Sequence, residues 1–332
     1  MRNTSILLVI GCLFAIFALT NCFAAVLSTL SIKGAVEHPQ ELTLSDFQAM
    51  PSFFLKDVYQ VEEKTAADQK DKLISAASYR GVLLRDLLLK AQMKFKRKWE
   101  PGVFIRVKNN EGNETVFSFG EIFYSSIGRS ILLAYEKNES TIPFQNGCAE
   151  LIVATDVRAG RRVTNVTEIT VDRVNVEMQA YDDKKKQIQR PPTNDFTLID
   201  HLSNRSQKMG LSDLKRLPGT FIPAAVMAGD CEGFRGIYSF KGTTLKEVLT
   251  LFGIKYPPTD YNRYVLIASE DGFCTTFSMG ELFNSRLSDN IVIAYEKDEK
   301  VLNGNEGFAM SVVREDSMGG RSVKRIYRIE LF

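Results

Sequence analysis

Two short segments in the second half of the chain carry side chains that could do chemistry. Cys231-Glu232-Gly233-Phe234-Arg235 offers a thiol close to a guanidinium group, and a cysteine thiolate is a soft metal ligand. Gly320-Arg321-Ser322-Val323-Lys324 combines two cationic side chains, a hydroxyl and backbone N–H groups beside a glycine. Those are the donors that a phosphate group requires. The sequence therefore predicts chemistry, if any, in this half of the chain.

An internal repeat is the strongest pattern in the sequence. The following segments recur without a gap at an offset of 160 residues: 111–123 as 271–283, 134–137 as 294–297, and Gly160-Arg161 as Gly320-Arg321. Upstream the offset drifts slightly, with Tyr79-Arg80-Gly81 matching Phe240-Lys241-Gly242. Solenoid units are only tens of residues long, so this period indicates a duplicated domain. Cys231 and Lys324 have no counterpart in the first copy.

The N-terminus predicts export. Arg2 is followed by an apolar run over residues 6–19 and then by a cleavage-site segment ending in a small residue, Cys22-Phe23-Ala24. This pattern is typical of a signal peptide cleaved after Ala24. Lipoprotein processing at Cys22 is an open alternative. No second apolar run of that length follows, which argues against an integral membrane domain. We expect a periplasmic or extracellular protein.

The predicted organisation is a signal peptide over residues 1–24, a first domain over 25–181, a linker over 182–194 and a second domain over 195–332. Charged residues and prolines mark the linker. Lysine and arginine number 42 and aspartate and glutamate 40. Because these charges nearly balance, no overall field favours nucleic acid as a partner.

Histidine and cysteine counts exclude several kinds of site. The chain has two histidines, His38 and His201, which are too few for a zinc cluster, and no Cys-x-x-Cys-His segment for covalent haem. Both histidines are interpreted as surface or internally paired residues. With two of five cysteines in the signal peptide, Cys148, Cys231 and Cys274 remain, and any one pairing among them is open.

Each copy predicts an α+β domain in which strands dominate and short helices decorate mixed sheets. A short strand (30–33; 197–199) leads to a short helix capped by Ser45 or Ser212, and an extended segment follows. Leucines at helical spacing predict an amphipathic helix over Leu83–Ala91 and Thr244–Phe252. The rest of the first copy predicts strands over 103–108, 115–117, 131–135, 151–154 and 163–171, with a short helix starting near Ser118 and, in the second copy, near Ser278.

This order of elements and several short sequence segments resemble the molybdopterin-binding domain of the sulfite oxidase and plant nitrate reductase superfamily. They include Leu-Ser-Asp-Leu at 211–214, Ala-Tyr-Glu at 294–296 and the Gly-Arg-Ser-Val-Lys segment. The resemblance covers nearly the whole of each copy and implies that fold.

The resemblance also implies site residues. Cys231 matches the family's cysteine whose thiolate binds molybdenum, so it would be both catalytic residue and metal ligand. Arg235 follows it in the matching Cys-x-Gly-Asn-Arg segment, although Phe234 replaces the asparagine. Gly320, Arg321, Ser322 and Lys324 resemble the family's segment near the pterin and phosphate.

Two functions stay open at this point. In the first, the chain is a cofactor-free relative that acts as a binding module for an anionic small molecule, a pterin or a periplasmic protein. Cys231 would then be a loop cysteine, and Arg161 and Arg321 would serve the fold of both copies. In the second, the second copy holds a molybdenum–pterin cofactor and is an oxidoreductase that transfers oxygen atoms. Whether the chain is an enzyme is therefore undecided by the sequence.

Overall fold

The computed structural model describes residues 28–61, 73–94, 102–145, 147–174, 193–229, 233–255, 258, 260–302, 304–317 and 319–332. The predicted signal peptide, most of the predicted linker and Cys231 lie outside these residues. Among the described helices, none is long and apolar enough to cross a membrane.

The first copy follows the predicted order of strands and short helices. Its elements are β1 (Thr29–Gly34), β2 (Gln40–Thr43), α1 (Leu44–Ala49), β3 (Phe53–Val61), β4 (Leu73–Leu83), α2 (Leu84–Ala91), β5 (Val103–Asn109), β6 (Glu114–Ser118), α3 (Phe119–Phe123), β7 (Ile131–Lys137), β8 (Ser140–Thr141), β9 (Glu150–Val153) and β10 (Val166–Arg173). Short 3-10 turns cover Ser126–Arg129 and Ala159–Arg161.

The second copy repeats this order element by element. It contains β11 (Asp195–Asp200), β12 (Arg205–Gly210), α4 (Leu211–Leu214), β13 (Thr220–Gly229), β14 (Gly233–Thr244), α5 (Leu245–Leu251), β15 (Tyr264–Ser269), β16 (Cys274–Ser278), α6 (Met279–Phe283), β17 (Ile291–Lys297), β18 (Lys300–Val301), β19 (Met310–Val313) and β20 (Ile326–Leu331). The 3-10 turns Ser288–Asn290 and Gly319–Arg321 complete it. The predicted α+β fold of two tandem, β-rich domains is confirmed.

Each copy pairs two sheets. In the first copy, one sheet has the order β2-β1-β10-β5-β6, and the other runs β3-β4-β7-β8 with β9 also on β7. The second copy has the same two sheets, β12-β11-β20-β15-β16 and β13-β14-β17-β18 with β19 on β17. The pairs β1–β10 and β11–β20 are parallel. The main core of each copy lies between its two sheets and includes the apolar face of α2 or α5.

Local capping differs from the prediction at the first helix of each copy. Thr43, not Ser45, caps α1: its hydroxyl accepts the Asp46 N–H, and the Asp46 carboxylate accepts the Thr43 N–H over 2.7 Å. In the second copy Gly210 takes the cap position, and its N–H donates to Asp213 over 3.0 Å. In the first copy the hydroxyl groups of Thr43 and Ser45 lie 2.8 Å apart, and the three-residue spacing from Thr43 to Asp46 decides that Thr43 forms the capping box.

Gly81 and Gly242 occupy equivalent positions in the two copies, and their packing explains why a glycine recurs there. Each lies at a β-bulge where the long hairpin strand, β4 or β14, crosses β7 or β17. A Cβ atom on Gly81 would be 2.1 Å from the Leu133 carbonyl oxygen, and one on Gly242 would be 2.3 Å from the Ile293 carbonyl oxygen. Backbone atoms of a central strand cannot move aside, so both positions exclude a side chain.

We therefore expect Gly81→Ala and Gly242→Ala each to lower the free energy of unfolding by about 1–3 kcal/mol, measured by urea denaturation. Gly219→Ala is the matched control, because a Cβ there meets no atom within 4 Å. Equal stability of Gly242→Ala and Gly219→Ala would show that the strands are not packed as described.

Candidate functional site

Arg321, predicted to bind a phosphate, lies buried at the boundary between the two copies with 1% of its surface exposed. Its guanidinium group forms a fork with Asp316, since Nε donates to Oδ2 over 2.8 Å and Nη2 to Oδ1 over 2.6 Å. Nη1 donates to Glu281 Oε2 over 2.5 Å. The plane also lies over the Phe277 ring, 4.9 Å from its centroid. All three nitrogen atoms of this side chain are thus bound by carboxylates of its own copy.

Arg161 makes the same contacts in the first copy. Its Nε and Nη2 donate to Asp156 over 2.8 and 2.6 Å, and its Nη1 donates to Glu121 over 2.5 Å. The side chain is fully buried and lies over the Phe117 ring at 4.9 Å. The two arginines, 160 residues apart, therefore have the same structural role.

Two serines join the arginine–carboxylate groups across the boundary. Ser118 Oγ donates to Glu281 of the second copy over 2.6 Å, and Ser278 Oγ donates to Glu121 of the first copy over 2.7 Å. Each serine also accepts the backbone N–H of the glutamate in its own helix over 3.0 Å, and so caps α3 or α6. We call the eight residues the boundary cluster: Ser118, Glu121, Asp156, Arg161, Ser278, Glu281, Asp316 and Arg321.

Backbone hydrogen bonds around the boundary cluster occur in matching pairs, one from the first copy to the second and one from the second to the first. The Val157 N–H donates to the Asn284 carbonyl over 3.0 Å, and 160 residues later the Ser317 N–H donates to the Tyr124 carbonyl over 2.9 Å. Such a reciprocal arrangement is that of an isologous, two-fold interface. The two copies are therefore packed as the two subunits of a symmetric dimer would be.

Close approach at this boundary depends on two glycines. A Cβ on Gly120 would be 2.2 Å from Arg321 Cδ, and one on Gly280 would be 2.1 Å from Arg161 Cδ. Each arginine stem thus crosses the helix of the opposite copy where that helix has no side chain.

Burial dominates the electrostatics of the boundary cluster. Two arginines face four carboxyl groups, so full ionisation would leave two excess negative charges. Burial raises the pKa of Asp156 and of Asp316 above the ordinary range, although the neighbouring arginine opposes it in each case. Burial also lowers the pKa of both arginines, but the adjacent carboxylates outweigh it and raise both values, so the guanidinium groups stay charged.

The pKa of Glu121 shifts in the same direction as those of the two aspartates. Burial raises its pKa to about 7; Arg161 opposes the shift, and the charge of Glu281 adds to it. A carboxyl group in such a site accepts a proton near neutral pH.

The other residues of the predicted phosphate segment point to different partners. Gly320 lies against the Tyr124 ring, where a Cβ would be 2.5 Å from Cε2. Ser322 Oγ lies 3.8 Å from Met227 Sδ. Lys324 Nζ lies 3.5 Å from Glu306 Oε1. These side chains therefore do not converge on one point.

Arg235 lies in β14 with an exposed side chain. Its neighbour Gly236 pairs with Met227 of β13, the residue that Ser322 contacts. The structure thus brings the hairpin of Arg235 alongside the segment of Ser322, while Arg321 points away into the boundary cluster. Cys231 falls outside the described residues, so its role as a ligand stays a prediction.

The described donors do not fit a molybdenum–pterin phosphate as a set. The three nitrogens of Arg321 are bound by Asp316 and Glu281, and Lys324 is paired with Glu306. Within the described residues, no group of three or more His, Cys, Asp or Glu side chains is placed to hold a metal ion.

The remaining candidates are structural. His201 stacks on Phe332 at 4.3 Å and contacts Glu330 through Nε2 at 2.8 Å, as expected for a paired histidine. His38 is exposed in the turn between β1 and β2. Cys148 is buried in the first core, where burial, with a contribution from Asp46, raises its thiol pKa to about 12.

Sequence reasoning identified Ser118 and Ser278 only as helix starts, and it missed the carboxylates of the boundary cluster. A signal was present, because Ser118, Glu121, Asp156 and Arg161 all recur at the same offset of 160. Charged residues retained in both copies at one spacing are candidates for a shared contact, and here that contact is between the copies.

A family model for the oxidoreductase molybdopterin binding domain matches residues 25–179 and again residues 187–332. The chain belongs to this family and contains two tandem members of it, which confirms the resemblance found in the sequence.

A search of curated proteins found no match. One similar solved structure is the sulfane dehydrogenase SoxCD from Paracoccus pantotrophus, with 14% identity and a TM-score of 0.33. The match covers 75% of this chain and 58% of that one, so this chain spans less than two thirds of its length. A likeness at this level carries no inference about function.

Because Arg161 and Arg321 make the same buried contacts, we expect Arg161→Lys and Arg321→Lys each to lower the free energy of unfolding by at least about 2 kcal/mol. A lysine ammonium group cannot reproduce the two-pronged bond to aspartate. Denaturant unfolding measures this, with the exposed Arg216→Lys as control. If Arg321→Lys were as harmless as the control while Arg161→Lys was not, the equivalence of the two arginines would be wrong.

Proposed function

We propose that this protein is a cofactor-free relative of the molybdopterin-binding family that acts as a binding module. One observation carries the proposal: Arg321 makes the contacts that Arg161 makes in a copy that lacks both the cysteine and the lysine. Holding the two copies together accounts for this arginine in both places. It therefore ceases to be evidence for a bound phosphate.

Exposed apolar side chains on the two long hairpins support a protein as the ligand. In the register of β3–β4 and β13–β14, Phe54 corresponds to Phe221 and Tyr59 to Val226. All four are exposed, between 45% and 61%. Large apolar side chains clustered on a surface mark sites where partners bind. Since both hairpins keep them at matching positions, the proposed partner contacts these hairpins.

The proposal also includes a location outside the cytoplasm. The segment over residues 1–24 has the features of a signal peptide, so the module would meet its partner in the periplasm or outside the cell. Under this proposal no nucleic acid is involved.

The alternative is an oxidoreductase with its site in the second copy. It is favoured by the contact between Ser322 and Met227, which brings the β13–β14 hairpin beside the Gly320–Lys324 segment. Cys231 would then be the metal ligand, Arg235, Ser322 and Lys324 would face the cofactor, and the bound cofactor would supply oxygen-atom transfer.

Measurement of bound molybdenum distinguishes the binding module from the oxidoreductase. We expect protein purified from a host that makes the cofactor to contain molybdenum far below one atom per chain, with no pterin fluorescence after oxidative denaturation. Cys231→Ser, the matched control, should give the same trace amount. Near-stoichiometric molybdenum that is lost in Cys231→Ser would instead establish the oxidoreductase.

A further inference from the structure

The centre of the boundary cluster brings two acidic helix starts together. Glu121 of α3 and Glu281 of α6 are both fully buried, and each accepts a hydrogen bond from the serine of the opposite copy. The charged groups that face them are Arg161 and Asp156 from the first copy and Arg321 and Asp316 from the second. Two cations thus face four acids in a space closed to water.

The hydrogen bonds of the two glutamates leave a place for a proton. Glu121 uses Oε1 for Arg161 and Oε2 for Ser278. The Oε2–Oγ separation of 2.7 Å suits a bond in which either oxygen carries the hydrogen, because hydroxyl and carboxylic acid groups both donate at this distance. A proton taken up on Oε2 reverses the direction of this hydrogen bond, so that Glu121 donates to Ser278 Oγ and the serine hydroxyl hydrogen turns away.

We propose that Glu121 carries a proton at the boundary, and that this proton makes the packing of the two copies dependent on pH. With the proton bound, the cluster carries one excess negative charge instead of two, and the copies pack tightly. When it leaves, Glu121 becomes a second buried negative charge close to Glu281, and the two carboxylates repel each other.

The direction follows from linkage. Burial, with the charge of Glu281, raises the pKa of Glu121 in the folded protein to about 7, against 4.5 for the ordinary carboxyl group. A raised pKa in the folded state gives a stabilising contribution that is complete below the unfolded value of 4.5 and is lost as the pH rises to about 7. Burial shifts the pKa of Asp156 and Asp316 in the same direction.

Glu121→Gln tests the proposal, because glutamine keeps an acceptor for Arg161 and removes the ionisation. The unfolding equilibrium constant of the wild-type protein should rise between about pH 5 and about pH 8, and by on the order of 50-fold more than that of the variant. Glu136→Gln, which removes a partly exposed carboxylate paired with Arg80, is the matched control and should keep the wild-type dependence. Parallel pH curves for the wild type and Glu121→Gln would overturn the proposal.

Hydrogen exchange locates the effect. The N–H groups of Val157 and Ser317 donate across the boundary. After correction for the intrinsic rate, their protection should fall above about pH 7 in the wild type more than in Glu121→Gln. Loss of protection only in the cores would contradict a device at the boundary.

A measurement on the wild type covers the case in which Glu121→Gln fails to fold. Infrared spectra should show the carbonyl band of a buried protonated carboxyl group that disappears as the pH rises through about 7. Glu281→Gln relieves the same repulsion and should also flatten the pH dependence. Absence of the band across this range would show that Glu121 carries no proton.

Discussion

Two arginines, four carboxylates and two serines at the boundary between the copies hold the rest of the molecule in register. Each arginine is fixed by carboxylates of its own copy, while each serine reaches the glutamate of the other. Removing one member would leave a buried charge without its partner, which is costly in a site closed to water. The boundary therefore fixes how the sheets of one copy stand relative to those of the other.

Much of the fold could be predicted from the sequence, because the signals involved are local. The β-branched and alternating segments predicted most strands to within a few residues, and Ser118 and Ser278 predicted the starts of α3 and α6. The long hairpin β3–β4 was predicted only as an extended segment, since its pairing depends on contacts distant in sequence. The cap at Thr43 differs from the prediction because two nearby hydroxyl residues, Thr43 and Ser45, compete for one position.

The direction of Arg321 could not be predicted from its neighbours. A segment with glycine, arginine, serine and lysine has the composition of a phosphate site, yet composition does not say which way a side chain points. The decisive information was the distant pair Asp316 and Glu281. The first copy had already offered a hint, since Arg161 persists where the cysteine and lysine do not. The copies thus differ at the residues proposed for chemistry, while the charged boundary is symmetric.

Because Gly120 and Gly280 must lack a side chain, the sequences of the two copies constrain each other. Each glycine makes room for the arginine stem of the opposite copy, so a mutation in one half of the gene is felt by a side chain encoded in the other half. After the duplication, surface loops could drift independently, but these positions could change only in concert. The fused chain is in this respect one evolutionary unit. A half exchanged with that of a relative would pack here only if its glycine and arginine matched those of the half that it joins.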